Sequence, residues 1–161
     1  MRLWIYVGLI VLSIGGIAIM DFKPDYGVWY WLIMTAVFGI SSISLSWKPA
    51  AERGLSAQHL LRQEGLHWLT ALVGVSLVFL MQWGLKLDPS LAALCSLLLL
   101  AVACVLAGIH FQWQLAVVGL VLAATFVVAV LAADFFWAGL LIALAGGVIL
   151  LIMARRRTNA T

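Results

Sequence analysis

Long apolar stretches alternate with short polar segments along the entire chain. A helix that crosses a membrane needs about 17 to 25 predominantly apolar residues, and six stretches reach this length. They are residues 3–20, 28–47, 66–85, 91–109, 115–133 and 135–154. The pattern predicts an all-α, polytopic integral membrane protein with short loops, in which residues 1–161 form a single transmembrane domain.

The boundary between the fourth and fifth stretches is the least distinct. Only the sequence HFQWQ, residues 110–114, separates them. Because the combined apolar run is too long for one membrane crossing, we expect a tight helical hairpin at this point. His110, Gln112, Trp113 and Gln114 would then lie at the depth of the lipid headgroups, where amphipathic side chains are favoured.

The segment between the second and third stretches is the longest polar one. Its beginning, KPAAERG at residues 48–54, has the composition of a turn. Ser56 is a candidate N-cap, and Gly65 is a candidate helix stop. The leucines between them predict one short interfacial helix, lying along the membrane surface between helices 2 and 3.

Composition supports a membrane location. Hydrophobic residues make up 66% of the chain and charged residues 9%, whereas a soluble domain averages about 25% charged residues. The formal net charge is +3, but the basic residues cluster at predicted helix ends. We therefore expect the lipid bilayer, and no nucleic acid, as a partner.

Lysine and arginine also predict the orientation. One side of the membrane would hold Arg2, Lys48, Arg53, Arg62, Arg155, Arg156 and Arg157, and the other side only Lys23 and Lys86. By the positive-inside rule both termini are cytoplasmic, in a bacterial inner membrane. The arginines of the C-terminal segment, 155–157, are candidates for contact with lipid headgroups. All eight tryptophans lie near predicted helix ends, as expected for an interfacial aromatic belt.

Small residues at helical spacing mark candidate packing or partner-binding surfaces, because transmembrane helices associate through close packing. They are Thr35, Gly39, Ser42 and Ser46 in the second stretch, Gly119 and Ala123 in the fifth, and Gly139, Ala143 and Gly147 in the sixth. The hydroxyl groups of the second stretch allow an alternative role, as the lining of a polar path. Hydroxyls in helices also commonly bond to their own backbone.

The motif EGLH raises the possibility of a metal site. Glu64 and His67 lie three residues apart, the spacing of the Glu-x-x-His pairs in di-metal helical bundles, and His110 is predicted on the same side. The chain has no second copy of the motif, and Gly65 interrupts it. We therefore interpret Glu64 and His67 as the solvated end of the third helix, and expect no metal and no other cofactor.

The remaining chemistry is sparse. Cys95 and Cys104 fall about 13 Å apart on opposite faces of one predicted helix, so they are not expected to bond to each other. No catalytic motif is present, and no ionisable residue falls in the middle of a predicted span, where proton-coupled transporters place such groups.

The leading hypothesis is a non-catalytic subunit, scaffold or regulator of a larger membrane assembly, bound to a membrane-protein partner. The alternative is a small-solute or ion transporter or channel that works as a homo-oligomer.

Overall fold

The computed structural model describes residues 2–52, 54, 56–131 and 145–146. Its elements are the five helices α1 (Arg2–Phe22), α2 (Pro24–Glu52), α3 (Ala57–Leu85), α4 (Pro89–His110) and α5 (Trp113–Leu131). The predicted all-helical class is confirmed, and α2, α3, α4 and α5 are each long and apolar enough to cross a membrane. The apolar part of α1, Trp4–Met20, is shorter.

Helix α4 occupies the centre of the bundle. It packs against α1, α2, α3 and α5, and its closest packing is with α5. Leu97, Leu100 and Cys104 of α4 are fully buried. Helix α4 is therefore apolar on nearly every side because its faces contact other helices of the protein as well as lipid.

The connection between α1 and α2 is a single residue, Lys23. The two helices approach so closely that a Cβ atom on Gly27 would lie 1.7 Å from Sδ of Met20. A larger residue at this position would require the Met20 side chain to move. Pro24 begins α2, where its fixed φ suits the first turn of a helix.

The predicted tight turn between the fourth and fifth helices is confirmed. Phe111 and Gln112 alone join α4 to α5. A Cβ atom on Gly108 would lie 2.1 Å from the backbone nitrogen of Ala116, and one on Gly119 would lie 2.6 Å from the backbone nitrogen of Val105. These two glycines let the helix backbones touch.

The predicted helix stop at Gly65 is wrong. Ser56 does cap a helix, since its hydroxyl accepts a hydrogen bond from the His59 backbone N–H, but α3 continues without a break to Leu85. Glycine inside a helix costs about 1 kcal/mol relative to alanine. Packing of the residues around it offsets that cost, because Leu60, Glu64 and Trp68 form one buried stripe across the position.

The turn predicted after the second stretch is also largely helical. Helix α2 extends to Glu52 and contains Pro49 in its interior. Because proline lacks an amide hydrogen, this turn of the helix lacks one backbone bond. The loop between α2 and α3 is therefore shorter than the sequence pattern predicts.

Among the described tryptophans, two depart from the interfacial belt. Trp31 and Trp68 are buried in the core, where Trp68 packs against the ring of Phe38. Trp4, Trp29 and Trp83, in contrast, are largely exposed. Proximity to a helix end therefore does not separate interfacial from core tryptophans in this chain.

The predicted sixth span, 135–154, lies outside the described residues except for Ala145 and Gly146. Gly146 lies against α5, because a Cβ atom there would be 2.7 Å from Cγ2 of Val121.

Candidate functional site

A group of buried polar side chains lies where the beginning of α1, the α2–α3 connection and the α4–α5 turn meet. We call this group the polar cluster and this part of the molecule the α2–α3 end. The members of the polar cluster are Tyr6, Ser42, Ser46, Glu64 and Gln112. They come from four different parts of the chain, and hydrogen bonds join them.

Glu64 is the acidic member of the polar cluster. It belongs to the buried stripe of α3 and has 0% of its surface exposed. Its Oε2 atom accepts a hydrogen bond of 2.7 Å from the hydroxyl of Ser42 on α2. Its Oε1 atom is also buried and has no hydrogen-bond partner among the described residues. The carboxyl group is therefore only half satisfied.

Gln112 connects the rest of the cluster. Its Oε1 atom accepts a hydrogen bond of 3.0 Å from the hydroxyl of Tyr6 on α1. Its Nε2 atom donates to the Ser42 carbonyl oxygen at 3.2 Å and to the Ser46 hydroxyl. One amide from the α4–α5 turn therefore holds α1 and α2 together, and Gln112 does not lie exposed at headgroup depth.

The interpretation of Glu64 as part of a solvated helix end is wrong. The side chain is enclosed by protein, and within the described part of the chain no lysine or arginine is paired with it. A charged carboxylate without a cationic partner is costly to bury. The hydrogen bond from Ser42 offsets only part of that cost.

The candidate metal ligands do not converge. Nε2 of His67 lies 3.0 Å from the Ala103 carbonyl oxygen on α4, so His67 is directed towards α4 and Glu64 towards α2. Nδ1 of His110 lies 2.7 Å from the Leu106 carbonyl oxygen of its own helix. Among the described residues, no three His, Cys, Asp or Glu side chains come close enough to hold one metal ion.

Since a carbonyl oxygen only accepts, each histidine must carry a hydrogen on the nitrogen that contacts it. In the neutral imidazole of His110, Nε2 is then the nitrogen free to accept a proton. His67 is held more firmly, with its ring against the rings of Trp68 and Phe111.

A small cavity of about 60 Å³ adjoins the polar cluster. Glu64, Ser46 and His110 are among its lining residues, together with Gln63. A cavity needs about 10–15 Å³ to hold one water molecule and two to four polar partners to retain it. The cavity is thus large enough and polar enough for water, and it places a buried carboxyl and an exposed histidine around one space.

The small-residue stripe of α2 divides into two parts. Thr35 donates to the Trp31 carbonyl oxygen of its own helix, and Gly39 lies against Trp68, whose Cβ would be 3.0 Å from an added Cβ. Ser42 and Ser46, in contrast, bond to side chains from elsewhere in the chain. The stripe thus serves helix packing at one end and the polar cluster at the other.

The other candidate packing residues have varied positions. Gly119 is buried against α4, and Ala123 is partly buried against the core. Cys104 is buried and Cys95 half-buried, and both are free. The remaining candidates lie outside the described residues: Gly139, Ala143, Gly147, Arg155, Arg156 and Arg157.

A larger groove of about 620 Å³ runs between α3 and α4 on the outside of the bundle. Its lining is mostly apolar, with small residues from both helices, Ala71 and Gly74 on α3 and Ala103 on α4. His67 and Thr70 contribute polar groups to the same groove.

Comparison with protein-family models, with curated proteins and with solved structures gave no match. The function must therefore be inferred from the chemistry of the polar cluster and the surface of the bundle.

Sequence reasoning missed two members of the polar cluster, Tyr6 and Gln112. Both lie near helix ends, where polar side chains usually face water or headgroups. The sequence did place both residues on the same predicted side of the membrane. Tyr6 lies one turn into the first helix, and Gln112 lies in the predicted tight turn. This placement indicates a contact between the two side chains only when α1 is known to pack against α4 and α5.

Proposed function

We propose that this chain is a non-catalytic subunit, scaffold or regulator of a larger membrane assembly. We further propose that it crosses a bacterial cytoplasmic membrane with six helices and has both termini inside. Support for this orientation comes from Lys48 and Arg62 at the α2–α3 end, against Lys23 and Lys86 at the opposite end.

The observation that favours a non-transporting role is the apolar interior of the bundle away from the polar cluster. Four other buried hydroxyl groups occur among the described residues, and each donates to a carbonyl oxygen one turn earlier in its own helix. They belong to Ser13, Thr35, Ser96 and Thr125. Because these hydroxyls are satisfied locally, the described helices offer no row of polar groups along which a solute would cross.

The groove between α3 and α4 is the surface that we assign to a partner. Of the four long apolar helices, α3 buries the smallest share of its apolar part. The groove has small residues on both walls, and small residues are what let a further transmembrane helix approach closely. The proposed occupant is therefore a transmembrane helix of another protein.

The test is gentle purification of a tagged chain from its own membrane, followed by mass spectrometry. A stoichiometric partner is expected. A photo-crosslinking amino acid at Thr70, which lines the groove, should capture that partner, whereas the same amino acid at the neighbouring exposed Leu69, which does not line it, should not. Purification of the chain alone, or equal capture at both positions, contradicts the proposal.

A second candidate is a small-solute or ion transporter or channel that works as a homo-oligomer. Glu64 favours it, because buried ionisable groups in membrane helices commonly mark ion and proton pathways. The candidate predicts flux into liposomes that is lost in Glu64→Gln and retained in Glu52→Gln, a matched change at an exposed position. Equal flux in empty and protein-containing liposomes contradicts it.

A further inference from the structure

We infer that Glu64 is a proton-exchanging site, loaded from the α2–α3 end through the small cavity that it shares with His110. The ligand is a proton carried by water, and the acceptor is the carboxyl group of Glu64. The inference depends on neither proposed function, because a titrating carboxyl would serve equally in a regulator that senses pH and in a transporter.

The first support is the state of the carboxyl group itself. Glu64 is fully buried, one of its oxygens accepts from Ser42, and the other has no partner among the described residues. A buried charge without a counter-ion is unfavourable, whereas a proton on the carboxyl removes the charge. The group therefore has a physical reason to bind a proton and an oxygen free to receive it.

The second support is a cavity beside the buried side chain. The cavity of about 60 Å³ has both Glu64 and His110 in its lining. His110 is exposed, and Nδ1 is the nitrogen that contacts its own helix, so Nε2 is available for proton exchange with solvent. Water in the cavity would complete the path between the imidazole and the carboxyl.

A metal or alkali cation fits the polar cluster less well. Such ions need several oxygen ligands at once, but the Gln112 Oε1 atom already accepts from Tyr6 and the Ser46 hydroxyl already accepts from Gln112. The amide of Gln112 also directs its Nε2 donor into the cluster. An amide N–H group carries partial positive charge and therefore repels a cation. The same donor is compatible with a carboxyl group that alternates between its charged and neutral forms.

Other titratable groups around Glu64 are few, so its proton exchange should be separable from theirs. On α1 the titratable group is Tyr6, which belongs to the cluster. On α2 the groups at this end are Lys48 and Glu52, which are exposed and do not line the cavity. On α3 they are His59 and Arg62, which are exposed, and His67, which is directed to the Ala103 carbonyl. On α4 it is His110 at the cavity.

The chain offers a sharp experiment because it contains two glutamates, Glu52 and Glu64. The full-length protein is labelled with carbon-13 at the glutamate δ-carboxyl, placed in detergent micelles, and titrated with pH by NMR. Two carboxyl signals are expected, and Glu64→Gln assigns them. If that variant does not fold, Glu52→Gln assigns the same pair, since Glu52 is exposed.

The expected result is a reversible change of the Glu64 signal with pH while the protein stays folded. In Ser42→Ala, which removes the hydrogen-bond partner of Oε2, the pH dependence of the Glu64 signal should differ from that of the unchanged protein. The Glu52 signal should not move.

Two results would overturn the inference. A Glu64 signal that stays constant over the whole pH range in which the protein remains folded would make the carboxyl a static structural group. A signal that shifts at constant pH when sodium or potassium replaces choline would make it a cation site. The titration is therefore performed in choline, sodium and potassium salts in parallel.

Discussion

The hydroxyl group of Ser42 donates a hydrogen bond of 2.7 Å to Oε2 of Glu64. This contact joins α2 to α3 and supplies the one polar partner that the described residues give to the buried carboxyl. Its neighbour Ser46 accepts from Gln112, so successive turns of α2 bind two different parts of the chain. The stability of the polar cluster should therefore depend on α2 more than on any other helix.

Replacing Ser42 by alanine should destabilise the protein. The substitution leaves the Glu64 carboxyl without its one partner, and an unsatisfied buried polar group costs about 1–3 kcal/mol. The measurement is the free energy of unfolding in mixed detergent micelles. Ser44→Ala is the control, because Ser44 is exposed and bonds to the Ile40 carbonyl oxygen of its own helix. Equal losses in both variants would show that the contact with Glu64 contributes nothing.

Tyr6 and Gln112 should be energetically coupled. A double-mutant cycle with Tyr6→Phe and Gln112→Leu removes their hydrogen bond of 3.0 Å from each side separately and then together. Hydrogen bonds between membrane helices contribute about 0.6 kcal/mol on average, with a maximum near about 1.7. We expect a coupling energy in this range from unfolding measurements. Strict additivity would indicate that this hydrogen bond does not contribute to holding α1 in place.

The helical class could be predicted from the sequence because the length of each apolar run can be read without knowing which other segments it contacts. Each of the first five predicted stretches overlaps one helix of the structure. The errors fall where local signals and packing disagree. Gly65 and Pro49 both look like helix breakers, but each lies within a helix whose neighbouring residues, Leu60 and Ala50 among them, are buried. Tertiary contacts outweigh a local cost of about 1 kcal/mol at glycine.

The polar cluster could not be predicted in the same way. Its members are far apart in the sequence, and their contacts depend on which helix faces which. Glu64 and His67 share a motif but are directed to different helices, α2 and α4. Conversely, Tyr6 and Gln112 share no motif and are hydrogen-bonded. Helical spacing predicts which residues share a face, and it carries no information about the neighbour across that face.

Replacing Gly65 by alanine should stabilise the protein slightly. Gly65 lies inside α3, and a Cβ atom there would have nothing within 4 Å. Alanine in a helix interior is favoured over glycine by about 0.5–1 kcal/mol. An increase of this size in the free energy of unfolding is expected. A decrease would indicate that the helix is interrupted at this residue, as the sequence pattern suggested.

Replacing Gly119 by alanine should have the opposite effect, because the space beside it is already occupied by backbone. An added Cβ would lie 2.6 Å from the Val105 nitrogen and 2.7 Å from the Ala101 carbonyl oxygen. Backbone atoms inside α4 cannot rotate away, so α4 and α5 must separate. Overpacking of this kind costs about 1–3 kcal/mol, and the loss should appear in the free energy of unfolding in mixed micelles.

Gly8→Ala is the matched control for this last substitution. Gly8 also lies inside an apolar helix, but a Cβ atom there would have nothing within 4 Å. The two variants therefore share the same gain in helix propensity. They differ only in whether the backbone of a neighbouring helix occupies the space of the added methyl group. If Gly119→Ala is as stable as Gly8→Ala, then α4 and α5 are not in backbone contact. A loss confined to Gly119→Ala would show that this glycine is needed for the closest helix pair of the bundle.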